Sequence, residues 1–150
     1  AVLIIVGPYE EDFSDWTSSP AVREGRIRFL GSTGKEGIRD LYRLADVFVL
    51  PSYQEGISSS LLESMACGLP AIASDTGGNP EVVVDRQSGL LHRPGDVEGL
   101  RAALVRLGSD DRTRAEFGAR ARERIATVFH IDGMADRFEA VYQRVLAESV

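Results

Sequence analysis

Two glutamates flank a stretch that is typical of a helix start, and their carboxylates could bind hydroxyl groups. Glu55 precedes three consecutive serines at positions 58–60, and Glu63 follows them. A carboxylate can accept hydrogen bonds from both hydroxyls of a vicinal diol, as in a sugar or a ribose. The free N–H groups at the start of a helix, residues 58–61 here, favour an anion such as phosphate. Together, these groups would suit a sugar nucleotide.

The neighbouring sequence predicts the elements that position these groups. Residues 47–50 form an apolar run of strand length, and Pro51 ends it. Apolar residues at helical spacing follow the serines, and residues 71–73 then form a second buried strand. Two parallel strands joined by a helical crossover are implied, with Glu55 at the carboxyl end of the first strand. In open parallel sheets, ligands bind at that end.

Two features of this stretch also have structural interpretations. Ser60 and Glu63 have the spacing of a capping box, which needs no ligand. Glu55 could likewise be an ordinary solvated carboxylate of a loop, without a ligand. Gly77 and Gly78, after the second strand, are explained equally well by a turn and by backbone room for a ligand.

The ordered motifs around the two glutamates resemble the signature of the retaining group 1 glycosyltransferases, which have the two-domain GT-B fold. That signature has two glutamates separated by seven residues, as Glu55 and Glu63 are here. It continues as Met-Ala-Cys-Gly-x-Pro and Ala-Ser-Asp-x-Gly-Gly-x-Pro-Glu, which are residues 65–70 and 73–81. The flanks are also similar, so the resemblance covers roughly residues 2–100.

The resemblance implies a role for each group. Glu55 would approach the donor sugar as the catalytic residue, and Glu63 would hold the ribose hydroxyls. The loop after the second predicted strand would contact the base, which makes Gly31 and Ser32 candidates. Many members carry a second glycine where this chain has Ser58, which we interpret as a subgroup trait. Main-chain amides would meet the diphosphate, and the candidates are Gly56, Ile57, Ser58, Ser59 and Ser60.

Composition excludes several function classes. The 150 residues are 43% hydrophobic and 27% charged, which is ordinary for one globular domain. A formal net charge of −6 argues against a nucleic-acid partner, because such binding depends on cationic contacts. The single cysteine, Cys67, excludes an internal disulfide, and its helical setting predicts a small buried side chain. No cluster with metal-ligand spacing is present, and the family needs no bound metal or other cofactor.

The rest of the chain predicts further elements of the same kind. Strands are predicted at residues 2–6, 27–30 and 89–91, and helices at 35–46, 80–85 and 97–107. Residues 9–25 predict a short helix and a loop. We expect Asn79 to cap the helix that starts at residue 80, and His92 to be exposed without a role. Two amphipathic helices follow, the second with an apolar stripe from Met134 to Leu146.

The predicted fold is α/β, with a Rossmann-like, doubly wound, mostly parallel sheet that forms one half of a GT-B glycosyltransferase. Residues 1–150 would be a partial donor-binding domain, and a separate domain would bind a sugar or lipid acceptor. The protein would retain the anomeric configuration as it transfers sugar from a nucleoside diphosphate donor. We expect the protein to be cytoplasmic, and peripheral attachment to the inner membrane stays an alternative. We expect residues 1–150 alone to be inactive. A non-catalytic nucleotide-sugar-binding module and a sugar-nucleotide epimerase of the same fold remain alternatives.

The resemblance also raises the question of how the sheet closes. In the family, a central strand precedes the counterpart of residues 2–6, and this chain starts after it, without Met. The strands at residues 2–6 and 47–50 would then have unpaired backbone groups, which are costly inside a core. We expect these strands to pair directly or the chain to self-associate, and a separate chain could instead supply the strand.

Overall fold

The computed structural model describes residues 1–8 and 17–148. The chain divides into two compact units, the first ending at Leu41 and the second beginning at Tyr42. The predicted helix and loop at residues 9–25 lie partly outside the described residues.

The amino-terminal unit contains a two-stranded parallel sheet. Strand β1 (Leu3–Val6) pairs with β2 (Ile27–Gly31), and Leu3 lies opposite Ile27. The short helix α1 (Pro20–Arg23) lies between them in sequence, and helix α2 (Lys35–Leu44) begins in this unit.

The second unit contains a three-stranded parallel sheet with helices on both faces. Its strands are β3 (Phe48–Leu50), β4 (Ala71–Ser74) and β5 (Gly89–His92), in the order β3-β4-β5. Its helices are α3 (Ser59–Ala66), α4 (Asn79–Val82), α5 (Val97–Ser109), α6 (Asp111–Val128) and α7 (Ile131–Glu148).

Strand β4 is buried on both faces because side chains alternate along a strand. Ala71 and Ala73 pack with residues of α3, α4 and α6, including Leu61, Met65 and Ala121. Ile72 points to the other face and packs with residues of β5, α5 and α6. A strand that is buried on both faces has consecutive apolar residues, here residues 71–73, and this run is why the sequence predicts it well.

Close backbone contact joins α3 to α6. Gly118 of α6 is buried, and a Cβ at this position would overlap the Gly68 carbonyl oxygen at the end of α3. A glycine is therefore required here for the two helices to approach. Asp96 and Asp110 cap α5 and α6 through hydrogen bonds to the N–H groups of Gly99 and Thr113.

The structure confirms the predicted α/β class with parallel strands, and each predicted strand is found within one residue of its expected bounds. The described strands form the sheets β1-β2 and β3-β4-β5, so the expected direct pairing of residues 2–6 with residues 47–50 is not found. Cys67 is exposed rather than buried, because it lies at the end of α3. Among the described helices, none combines the length and the apolar character that crossing a membrane requires.

Candidate functional site

The loop after β3 carries Glu55, and a neighbouring hydroxyl holds its carboxylate. Ser52 Oγ donates a hydrogen bond to Glu55 Oε1 over 2.8 Å, and both residues are half-buried. This bond fixes the carboxylate in one orientation while part of it stays accessible. Ser52 was not predicted as a site residue, although a serine three residues before a glutamate in the same loop is visible in the sequence.

The first turn of α3 has no side-chain cap. Ser58 is the N-cap residue, with φ −73° and ψ 122°, and its side chain makes no capping hydrogen bond. Its hydroxyl instead lies 2.9 Å from Ser60 Oγ. The first N–H groups of a helix have no hydrogen-bond partner within the helix. In this turn they remain available to donate hydrogen bonds to an anion.

The capping-box interpretation of Glu63 is wrong. The helix starts at Ser59, so Ser60 lies within it and Glu63 belongs to the second turn rather than the first. The Glu63 side chain is exposed. Side chains of a helix tilt towards its N-terminus, so this carboxylate leans towards the uncapped turn.

Tyr42, a residue outside the motif, lies near Glu63. Its side chain is buried, and its ring meets that of Phe48 edge-on at 5.9 Å between centroids. Burial raises the pKa of the Tyr42 hydroxyl, and the Glu63 carboxylate and the Cys67 thiol raise it further. The hydroxyl is therefore held in its protonated form close to Glu63. The sequence predicted only that Tyr42 lies in the helix at residues 35–46, without a link to Glu63.

Gly77 and Gly78 provide room for the Glu55 loop. Gly77 has φ +53°, and a Cβ there would overlap the Glu55 carbonyl oxygen. A Cβ at Gly78 would lie 2.7 Å from the Gly56 carbonyl oxygen, which accepts a hydrogen bond from the Gly78 N–H over 3.1 Å. Thr76 Oγ1 also donates to the Tyr53 carbonyl oxygen over 3.4 Å. The turn after β4 is thus fastened directly to the backbone on both sides of Glu55.

Asn79 does not cap α4 as the sequence predicted. It is buried at the first helical position, Gly78 is the N-cap residue, and Asn79 Nδ2 donates to the Ser74 carbonyl oxygen over 3.0 Å. The side chain therefore ties the helix start to the end of β4, which fixes the direction of the glycine turn.

The remaining predicted site residues divide between the units. The structure brings together the loop and helix start, namely Glu55, Gly56, Ile57, Ser58, Ser59 and Ser60, with Glu63 one turn further on. Gly31 ends β2 and Ser32 follows it, both in the amino-terminal unit. Their contact with a base stays a prediction. Within the described ranges, no three or more His, Cys, Asp or Glu side chains are grouped as a metal ion would require.

Comparison with known proteins shows which family has these motifs. Residues 1–124 match the family described as "Glycosyl transferases group 1". The N-acetyl-alpha-D-glucosaminyl L-malate synthase of Bacillus anthracis is 33% identical over 125 residues, which are 83% of this chain and 32% of that protein. The chain thus spans about a third of the length of this relative.

Solved structures share the fold. Sucrose-phosphate synthase from Thermosynechococcus elongatus matches with a TM-score of 0.81 and 31% identity, over 97% of this chain and 39% of that one. Anabaena HepE in complex with UDP-glucose matches with a TM-score of 0.82 and 23% identity, over 95% of this chain and 41% of that one. The family match covers well over half of the chain, and the chain belongs to the group 1 glycosyltransferases.

Proposed function

We propose that this chain is the donor-binding part of a retaining glycosyltransferase, which transfers sugar from a nucleoside diphosphate donor to an acceptor hydroxyl. One observation carries the proposal. Helix α3 starts without a side-chain cap, and it follows a loop in which Ser52 orients the Glu55 carboxylate and the glycine turn packs against the backbone of residues 55 and 56. Anabaena HepE, which has a similar fold, was solved with UDP-glucose.

In this proposal, each group of the second unit binds a different part of the donor. The first-turn N–H groups of α3 and the amides after Gly56 receive the diphosphate. Glu63, one turn on, accepts hydrogen bonds from the ribose diol. Glu55, oriented by Ser52, faces the transferred sugar. In this proposal catalysis comes from positioning and from stabilisation of the departing diphosphate.

Replacement of Glu63 tests donor binding. Glu63→Gln removes a charged acceptor from an exposed position, so we expect little change in melting temperature. Loss of hydrogen bonds to a charged group costs about 1.5–3 kcal/mol, which weakens nucleoside diphosphate binding by roughly 10- to 150-fold. Calorimetric titration with a panel of nucleoside diphosphates measures the loss, beside a thermal melt.

Glu139→Gln is the control, since it removes the same charge from an exposed position on α7. Its nucleotide affinity should equal that of the parent chain. Equal affinity in Glu63→Gln would contradict the ribose role. Failure of the parent chain to bind any nucleoside diphosphate would contradict the donor-binding proposal itself.

Replacement of Glu55 tests the transfer step in the protein that carries this chain. Glu55→Gln should keep nucleotide affinity and lose most product formation, because Glu55 is assigned to the sugar and not to the nucleotide. Analysis of the product's anomeric configuration tests retention. Full transfer activity in Glu55→Gln would remove that residue from the catalytic assignment.

A further inference from the structure

An open cavity lies between helix α6 and the segment that joins α4 to β5. Its volume is about 350 Å³, and its lining includes Arg120 and Arg124 of α6 and Gln87 of the joining segment. At roughly 30 Å³ for each water-sized group, the cavity holds on the order of ten such groups, which is enough for a small organic anion.

The cavity lies at the opposite end of the three-stranded sheet from the Glu55 loop. Residues 84–88, which line it, lead into the amino end of β5. The Glu55 loop follows the carboxyl end of β3, and the three strands run parallel. A molecule bound in this cavity would therefore leave the groups assigned to the donor accessible.

The Arg124 guanidinium is held at one wall of the cavity. Its Nε and Nη2 donate to the carbonyl oxygens of Val82 and Glu81 over 2.8 and 2.6 Å, so it bridges from α6 to the end of α4. Its Cζ also lies 5.6 Å from the centroid of the Phe129 ring. These contacts fix the positive charge between α6 and the joining segment, and they leave Nη1 without a hydrogen-bond partner among the described residues.

Arg120, one turn before Arg124, adds a second guanidinium. Nearer the start of α6, Arg112 pairs with Glu116 over 2.9 Å. Arg120 is exposed and has no ion pair in the part of the chain that the structure describes. Because a guanidinium can donate two parallel hydrogen bonds to a carboxylate or a phosphate, two of them one turn apart favour an oxyanion.

Glu123 is the one carboxylate in the lining of this cavity, and it is exposed. With two guanidiniums and one carboxylate, the lining keeps a net positive charge. The Gln87 amide adds neutral donors at the opposite wall. The charge balance therefore favours an anion, and Glu123 should weaken its binding.

We propose that this cavity binds an oxyanion, which is the carboxylate or phosphate group of a small molecule, through Arg120 and Arg124 with Gln87 as a further donor. The site shares no residue with the donor assignment and would stand if that assignment failed.

Titration of the 150-residue chain with inorganic phosphate, and separately with succinate, tests the proposal by nitrogen-15 NMR of the backbone amides. We expect saturable shifts at residues 84–88 with at least one anion, and the comparison shows whether phosphate or carboxylate is preferred. Shifts at residues 56–60 would report binding at the start of α3 instead. Saturable shifts there alone would overturn the cavity site and leave the donor proposal intact.

Three exposed positions on α6 separate a specific site from a general effect of charge. Arg120→Gln should weaken anion binding by roughly two- to fivefold, the range expected for one solvent-exposed charge contact. Glu123→Gln should strengthen binding by a similar factor, because it removes the repelling carboxylate. Arg122→Gln is the matched control, since Arg122 is exposed on the same helix but lies outside the lining, and its affinity should equal that of the parent chain.

The variants and the titration give three ways to overturn the site. The first is the absence of saturable shifts at residues 84–88 with either anion. The second is equal weakening by Arg120→Gln and Arg122→Gln, and the third is unchanged or weaker binding in Glu123→Gln. A thermal melt of each variant checks that the fold persists.

Discussion

Tyr42 links the candidate site to the stability of the fold at the scale of single residues. Its hydroxyl is buried near Glu63, and its pKa in the folded chain is raised above the usual value near 10. Below pH 10, both the folded and the unfolded states keep the proton. As pH rises beyond 10, the unfolded state loses its proton first and the folded state becomes relatively less stable.

The prediction is that Tyr42→Phe removes part of the alkaline loss of stability. The free energy of unfolding of the parent chain should fall more steeply between pH 10 and 11 than that of Tyr42→Phe. Denaturant titrations at each pH measure the difference. Tyr142→Phe is the matched control because Tyr142 is 65% exposed, and it should keep the parental slope. Parallel curves for Tyr42→Phe and the parent would refute the assignment.

At this scale, the sequence predicted the site residues better than their hydrogen bonds. Three consecutive serines can each cap a helix, so the N-cap depends on which residue leaves the helical region of backbone space. Here that residue is Ser58, which places Glu63 beyond the reach of a capping box. The burial of His92 was missed because the predicted strand ended at residue 91, whereas β5 includes His92 as its last residue.

At the scale of elements, the glycine turn after β4 acts as a support for the Glu55 loop. Gly77→Ala would place a methyl group against the Glu55 carbonyl oxygen and hold a non-glycine residue at φ +53°. The left-handed conformation alone costs about 1–2 kcal/mol. We therefore expect a loss of at least this much in unfolding free energy, together with weaker nucleotide binding as the loop shifts.

Gly108→Ala is the control for this change. Gly108 lies in α5, and a Cβ there meets nothing within 4 Å. Because alanine is the better helix former, stability should be unchanged or raised by up to about 1 kcal/mol. Denaturant unfolding of both variants, with hydrogen exchange across residues 51–58, measures the effect. Parental stability and loop protection in Gly77→Ala would show that the turn does not support the loop.

The sequence predicted the elements of the three-stranded sheet closely because the first three residues of β4 are apolar, Pro51 follows β3, and β5 begins at Gly89. It left open whether Gly77 and Gly78 make room for a ligand or only form a turn. The structure shows that the space they leave is filled by the backbone of residues 55 and 56. Such contact between distant segments has no signature in hydrophobic periodicity.

At the scale of the whole molecule, local patterns predicted parallel strands but not the pairing between them. Strand pairing depends on contacts between distant segments, and apolar runs do not specify a partner. Of the expected ways to close the sheet, direct pairing of β1 with β3 is not found among the described strands, and self-association stays a prediction.

Helix α7 supplies a surface on which self-association can be tested. Its apolar residues are largely exposed: Ile131, Met134, Phe138, Val141, Tyr142, Val145 and Leu146. A contiguous apolar patch of this kind is uncommon on a monomer and often marks an interface. We expect the 150-residue chain to associate with a second copy along this stripe, with the average mass from light scattering rising with concentration.

Val141→Lys should lower that average mass, because a charge in the stripe would have to be buried on association. Gln143→Lys adds the same charge at an exposed polar position of the same helix and should leave the mass unchanged. Circular dichroism of both variants checks that α7 stays helical. A strictly monomeric parent chain at every concentration would contradict the prediction, and equal effects of the two lysines would indicate general charge repulsion rather than the stripe.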